Sequence, residues 1–88
     1  MFSFLKIFKR KQIGNPFNRG WGSREDAVVM IKEWIRVNNI WYEQLCNASG
    51  VSFDQLKRFL ANRSVRNSTV QKIWDGARKI HDILYTTS

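Results

Sequence analysis

Apolar residues recur at helical spacing along most of the chain after residue 23. The spacing predicts helices over about 24–37, 40–49, 52–62 and 68–84, and the last of these has the cleanest apolar stripe. The side chains expected to face inward are Ala27, Val28, Ile31, Trp34, Ile35, Trp41, Leu45, Cys46, Leu56, Phe59, Leu60, Val70, Ile73, Trp74, Ala77, Ile80 and Leu84. We therefore predict an all-α fold, a compact bundle of four to five short helices.

Three of the predicted helix starts have a serine followed three residues later by an acid or an amide. These pairs are Ser23 with Asp26, Ser52 with Gln55, and Ser68 with Gln71. At this spacing the serine side chain accepts a hydrogen bond from a free amide of the first turn, as in a capping box. Asn38 and Asn39 suit the end of the first helix, and Gly50 suits a tight turn after the second. Gly76, inside the last helix, either permits a close helix crossing or marks a weak point.

Residues 1–22 differ from the periodic region. The first twelve residues, MFSFLKIFKRKQ, mix apolar side chains with cations, and residues 13–22 contain the only proline and three of the five glycines. The second of these segments is typical of a linker. The sequence therefore predicts a basic N-terminal arm and linker over 1–22, followed by a helical domain over 23–88.

The N-terminal arm allows three interpretations. We favour packing on the core, or on a second copy of the chain, as the use of its apolar residues, which are Phe2, Phe4, Leu5, Ile7 and Phe8. The arm would otherwise follow a groove of DNA, or lie on a membrane surface as an interfacial helix. It is too short to span a bilayer, and it lacks the order of a signal peptide.

Charge narrows the class of partner. The 15 Lys and Arg residues outnumber the seven Asp and Glu residues, which gives a formal net charge of +8. Residues 1–20 contain five cations and no acid, and residues 54–79 contain seven cations and two acids. A field of this sign attracts nucleic acid or an anionic membrane surface. We therefore expect an anionic partner.

The residue sets that catalysis and metal binding require are missing from the sequence. Cys46 and His81 are the only cysteine and the only histidine, too few for a tetrahedral metal site or an internal disulfide. An inward position would raise the thiol pKa of Cys46. The sequence also has no paired acid and base, no activated nucleophile and no glycine-rich phosphate loop. We predict a cytoplasmic protein that is not an enzyme and holds no metal or other cofactor.

The most informative segment is WYEQLCNASGVSFDQLKRFLAN, residues 41–62. Its small residue Cys46, its turn 50–52 (Gly-Val-Ser), and the apolar Leu56 and Phe59 have the spacing that lets two short helices pack across a tight turn. In this pattern the segment resembles the phage-repressor, or Xre-like, helix-turn-helix family. Together with the loop and the helix that follow, the resemblance covers roughly residues 28–80.

Two positions depart from the family pattern. Cys46 replaces the usual alanine, and it is small enough to preserve the crossing of the two helices. Ala61 and Asn62 stand where a polar residue and a glycine usually end the second helix of the motif. The path of the chain after that helix is therefore less well determined.

The resemblance implies a sequence-specific, repressor-like transcription regulator of phage or mobile-element origin that binds double-stranded DNA. The helix at about 52–61 would enter the major groove, and a homodimer would read two half-sites about one helical turn apart. Base contacts are expected from Ser52, Phe53, Asp54, Gln55 and Arg58. Backbone contacts are expected from Tyr42, Lys57, Arg63, Ser64, Arg66, Asn67 and Ser68, with Asn39, Asn62 and Thr69 beside them.

The residue types at these positions suit base recognition. Arg58 matches guanine, Gln55 adenine and Asp54 cytosine, whereas Phe53 is able to contact a thymine methyl group. Each also has a structural interpretation: Phe53 would close the core, Asp54 would favour the start of a helix, and Lys57 and Arg58 would form a solvated face. For the whole chain the alternative is a protein-interaction adaptor that retains the helix-turn-helix as a scaffold, attached to a membrane or an assembly through residues 1–12.

Overall fold

Helices make up the regular structure of this protein in the computed structural model, which describes residues 15–86. A short 3-10 turn, Pro16–Asn18, precedes four α-helices: α1 (Arg24–Asn38), α2 (Tyr42–Ser49), α3 (Phe53–Leu60) and α4 (Asn67–Thr86). The described residues contain no strand. The predicted small all-α bundle is therefore confirmed, whereas the N-terminal arm up to residue 14 lies outside the described residues.

The first helix begins and ends as the sequence predicts. The Ser23 hydroxyl accepts a hydrogen bond from the Asp26 backbone N–H at 3.1 Å. Asn39 ends the helix in the left-handed region, at a φ of 58°, and its N–H bonds to the carbonyl of Ile35. Asparagine tolerates this conformation better than most residues with a side chain. The buried face of α1 consists of Ala27, Val28, Ile31 and Trp34.

Residues 42–60 form two short helices joined by a tight turn, as predicted, but each helix has eight residues and is shorter than the predicted 40–49 and 52–62. Gly50 ends α2 with a φ of +76°, and its N–H bonds to the carbonyl of Cys46 at 2.8 Å. Ser52 and Gln55 then form a complete capping box, in which each side chain accepts a hydrogen bond from the other residue's backbone N–H. The turn and the start of α3 are therefore determined by local hydrogen bonds.

The end of α3 resolves the uncertainty over Ala61 and Asn62. Asn62 lies in the left-handed region with a φ of 61°. Its N–H bonds to the carbonyl of Phe59 at 3.0 Å, and the N–H of Arg63 bonds to the carbonyl of Arg58 at 2.9 Å. This pair of bonds is a Schellman motif, which usually has glycine where Asn62 stands. Asparagine thus replaces the expected glycine without changing the way the helix ends.

The core lies where α4 packs against α1 and α2. The buried residues of α4 include Val70, Ile73, Trp74, Ala77 and Ile80. At Gly76 a Cβ atom would lie 2.6 Å from the Ser49 Cβ and 2.8 Å from the Ser49 Cα and N. These separations are too short for any residue larger than glycine, so Gly76 permits the close crossing of α2 and α4.

Two residues expected to face inward do not. Trp41 is 72% exposed because it caps α2 with an extended backbone, outside the helix whose periodicity predicted its direction. Leu84 is 45% exposed. At that turn of α4 the inward side is taken by the buried His81 and by Tyr85, whose hydroxyl bonds to the Asn38 side chain. Helical spacing therefore fails at the two helix ends.

The third predicted cap lies two residues from the position that the structure gives it. α4 begins at Asn67, so Ser68 already lies within the helix. The backbone N–H groups of Thr69 and Val70 both bond to the carbonyl of Arg66, at 3.0 and 3.1 Å. Arg66 therefore accepts the first hydrogen bonds of α4, in the place that the serine was expected to occupy.

Residues 15–22, here called the strap, were expected to belong to a linker but pack on the helices. Phe17 is completely buried, and its ring meets those of Trp34 and Trp74 edge-on, with centroids 5.2 and 4.9 Å apart. Burying a phenylalanine side chain contributes roughly 1.5–3 kcal/mol. This contribution keeps the strap on the core and corrects the interpretation of these residues as a spacer.

Polar contacts hold the strap at its start and in its middle. The Asn15 side-chain amide donates to the Arg78 carbonyl at 2.8 Å and to the Asp82 carboxylate at 2.9 Å. The indole N–H of Trp74 donates to the carbonyls of Phe17 and Arg19, at 3.0 and 2.8 Å. The folded unit therefore includes Asn15 and the residues that follow it.

Candidate nucleic-acid interface

Helix α3 has one buried side and one exposed side. Leu56, Phe59 and Leu60 are buried in the core. All five residues predicted to contact bases are exposed, namely Ser52, Phe53, Asp54, Gln55 and Arg58. The capping box fixes the first turn, so these side chains leave a helix whose start is well defined. Within residues 15–86, the exposed side of α3 is therefore accessible to a large partner.

An open depression of about 740 Å³ joins α3 to the start of α4. Its lining consists of Gln55, Arg58, Ser64, Val65, Arg66, Ser68, Thr69 and Lys72. The lining contains three cations and no carboxylate. The structure thus brings two residues predicted to read bases next to three predicted to contact the DNA backbone.

Lys72 belongs to this depression and was not among the predicted site residues. It lies four residues after Ser68 on α4, and residues at that spacing share one face of a helix. The same spacing was visible in the sequence. It would have identified Lys72 once the depression was known to extend along the first turns of α4.

Arg58 forms an exposed ion pair with Asp54 one turn earlier. The Arg58 Nε lies 3.3 Å from the Asp54 Oδ2, and the two side chains are 60% and 75% exposed. An exposed pair of this kind contributes about 0–1 kcal/mol, little enough for Arg58 to exchange it for another acceptor. Asp54 brings negative charge to the surface and stays the predicted contact least suited to DNA.

Phe53 contacts other side chains of the surface and does not close the core. Its side chain is 51% exposed, and its ring centroid lies 5.9 Å from that of Tyr42, which is 40% exposed. The Lys57 Nζ lies 5.5 Å from the Phe53 ring centroid, within the range of a cation–π contact. Tyr42 and Lys57, both expected to contact the DNA backbone, therefore adjoin the first residue of α3.

Of the other predicted contact residues, Arg63, Asn67, Asn39 and Asn62 are exposed and do not line the depression, whereas Thr69 does. Arg63 follows the Schellman motif, and Asn67 is the first residue of α4. Asn39 and Asn62 occupy left-handed positions at the ends of α1 and α3. Thr69 lines the depression and is buried, with 6% of its surface exposed.

Among residues 15–86, the two groups with a shifted pKa belong to the helix packing. Burial raises the pKa of the Cys46 thiol, as expected. Burial also lowers the pKa of His81, against a smaller opposite effect of the Asp82 carboxylate. The Trp34 indole N–H donates to the His81 Nδ1 at 3.2 Å, a hydrogen bond that favours the neutral ring because Nδ1 must be unprotonated to accept it.

Within residues 15–86, no three His, Cys, Asp or Glu side chains are grouped so that they could hold a metal ion. None of the helices described in that range is both long and apolar enough to cross a membrane. Comparisons with family models, with curated proteins and with solved structures find no match to this chain.

Proposed function

We propose that this chain is a sequence-specific double-stranded DNA-binding protein that regulates transcription in the manner of a repressor. The observation that supports this function is the continuity of one surface. The exposed side of α3 and a cationic depression at the start of α4 share Gln55 and Arg58. Such a surface offers base recognition and phosphate contact together.

α3 has suitable dimensions for the major groove. An α-helix with its side chains is about 10–12 Å in diameter, and the groove is about 12 Å wide. Gln55 would form two hydrogen bonds with adenine N6 and N7, and Arg58 would form two with guanine O6 and N7. Each such pair discriminates against the wrong base by about 1–3 kcal/mol.

The depression would bind the phosphates beside that groove. Arg66 and Lys72 supply positive charge, and the Ser64 and Ser68 hydroxyls supply hydrogen-bond donors. At the start of α4, backbone N–H groups and the helix dipole also favour a bound phosphate. These contacts position the protein but carry no sequence information, so they determine affinity and its dependence on salt. Repression would follow from occlusion of a promoter, and a homodimer would read two half-sites.

Selection of bound sequences from a random duplex pool tests this function. The protein is titrated with the pool at two salt concentrations, and the bound duplexes are amplified and sequenced. An enriched motif is the expected result. Salt-sensitive binding without enrichment would reduce the function to binding of the DNA backbone, and the absence of duplex binding would refute it.

Variants separate the two kinds of contact. Arg58→Ala is expected to relax sequence specificity. Lys72→Ala and Arg63→Ala are expected to weaken binding to all sequences alike. Each is expected to lower the slope of log affinity against log salt concentration by about one. Lys79→Ala is the matched control, because it removes the same charge from an exposed position of α4 outside the depression. Equal effects of all four changes on matched and scrambled duplexes would contradict the assignment.

Exposed aromatic side chains favour a second candidate function, that of a protein-interaction adaptor. Trp41 is 72% exposed, and tryptophan is enriched among the residues that dominate protein interfaces. In this case residues 1–12 would attach the scaffold to a membrane or to a larger assembly. Liposome binding that is lost on deletion of residues 1–12, with no duplex binding, would favour the adaptor.

A further inference from the structure

Two aromatic side chains meet at the start of α3 without being part of the core. The rings of Tyr42, the first residue of α2, and Phe53, the first residue of α3, have centroids 5.9 Å apart and are tilted by 49°. Both side chains are partly exposed, by 40% and 51%. This pair, here called the aromatic pair, leaves apolar surface in water where α3 would enter the major groove.

Two cations and two acids lie beside the aromatic pair, and one of the cations, Arg58, also lines the cationic depression. The Lys57 ammonium lies 5.5 Å from the Phe53 ring centroid, and Arg58 follows it in the chain. The neighbouring acids are Glu43, in the first turn of α2, and Asp54, whose carboxylate is paired with Arg58. In a duplex bound at this surface, the phosphates would contact the cations and the base edges would contact the aromatic rings.

Only one base presents an apolar group in the major groove. Thymine has a 5-methyl group there, whereas adenine, guanine and cytosine present hydrogen-bond donors and acceptors. We propose that the aromatic pair contacts a thymine methyl group and thereby selects a T·A pair opposite the start of α3. The proposal rests on the proposed function and adds a specificity determinant to it.

Replacement of thymine by uracil removes the methyl group and leaves the hydrogen-bonding edges unchanged. The selected duplex is therefore prepared as a series in which single thymines are replaced by deoxyuridine, and its affinity is measured by fluorescence anisotropy. At one position of each bound site we expect affinity to fall about fourfold, the effect of one buried methyl group. The other positions are expected to tolerate the change.

Variants of the protein test whether the aromatic pair causes the loss of affinity on replacement of thymine by deoxyuridine. Phe53→Ala is expected to weaken binding and to abolish the difference between thymine and uracil. Because Phe53 is half exposed, this variant is expected to fold, and circular dichroism checks that it does. Tyr42→Phe retains the ring and is expected to retain the difference. Trp41→Ala, the control, removes an exposed aromatic outside the pair and is expected to leave the thymine-to-uracil ratio unchanged.

The outcomes distinguish this proposal from the function on which it rests. If a motif is enriched but its affinity does not change on replacement of any thymine by deoxyuridine, the proposed methyl contact is wrong and DNA binding still stands. The same conclusion would follow if Phe53→Ala kept the full difference. The absence of any duplex binding would refute both, and it would leave the exposed rings as a contact for another protein.

Discussion

Replacement of Gly76 by alanine tests the close crossing of α2 and α4. The new Cβ would lie 2.6 Å from the Ser49 Cβ and 2.8 Å from the Ser49 Cα and N. Two of these three atoms belong to the backbone, so no change of side-chain rotamer relieves the overlap. One helix must therefore move away from the other.

The expected loss of stability is the difference between two effects. Overpacking of a core costs typically 1–3 kcal/mol, and contact with backbone atoms places Gly76→Ala at about 3 kcal/mol. Alanine recovers about 1 kcal/mol through its higher helix propensity. The net loss is about 2 kcal/mol, which lowers the Tm of a domain of this size by roughly 8–16 °C.

Thermal unfolding followed by circular dichroism measures this loss. Gly20→Ala is the matched control, because no atom lies within 4 Å of the Cβ that it would add. It is expected to leave the Tm unchanged or slightly raised. Ser49→Gly removes one of the three overlapping atoms, so the double variant is expected to recover only part of the loss. An unchanged or higher Tm for Gly76→Ala would refute the close crossing.

Three further predictions concern the turn, the strap and the buried histidine. Gly50→Ala is expected to lower the free energy of unfolding, measured in urea, by about 1–2 kcal/mol, because the backbone φ at this position is +76°. No atom crowds the new Cβ, so backbone strain accounts for the loss. Gly50→Asn should lower the free energy of unfolding by less. Phe17→Ala should cost about 3–5 kcal/mol, whereas a loss below 1 kcal/mol would indicate that the strap is a spacer after all. Burial lowers the pKa of His81 below its usual 6.5, so the unfolded state binds a proton more readily than the folded state. Stability is therefore expected to be complete above about pH 6.5 and to fall as the pH decreases below it. His81→Gln should remove this contribution, and an unchanged slope in that variant would assign the pH dependence to other groups.

Local rules predicted the helices well. The serine caps at Ser23 and Ser52 were readable because a capping hydrogen bond joins residues only three apart. The exposed side of α3 followed from helical spacing in the same way. Trp41 and Leu84 were misplaced because helical periodicity does not extend to a capping residue or to a last turn that lies beside the core.

Long-range packing accounts for what the sequence did not reveal. Proline and glycine marked residues 13–22 as a linker, but the burial of Phe17 depends on Trp74, 57 residues later. Lys72 was missed because its place in the depression depends on how α3 and α4 approach each other. Asn62 could have been read locally, since asparagine tolerates the left-handed region in which a glycine was expected.

The strap also determines when the nascent chain can complete its core. Phe17 and the strap carbonyls that accept from the Trp74 indole cannot make these contacts until Trp74 is synthesised, 57 residues after Phe17. At translation rates of about 5–20 residues per second, that interval lasts roughly 3–11 s. During this interval Phe17 and Trp34 lack the cover of α4. Until its last helix has left the ribosome, the nascent chain therefore exposes apolar surface that the folded domain buries.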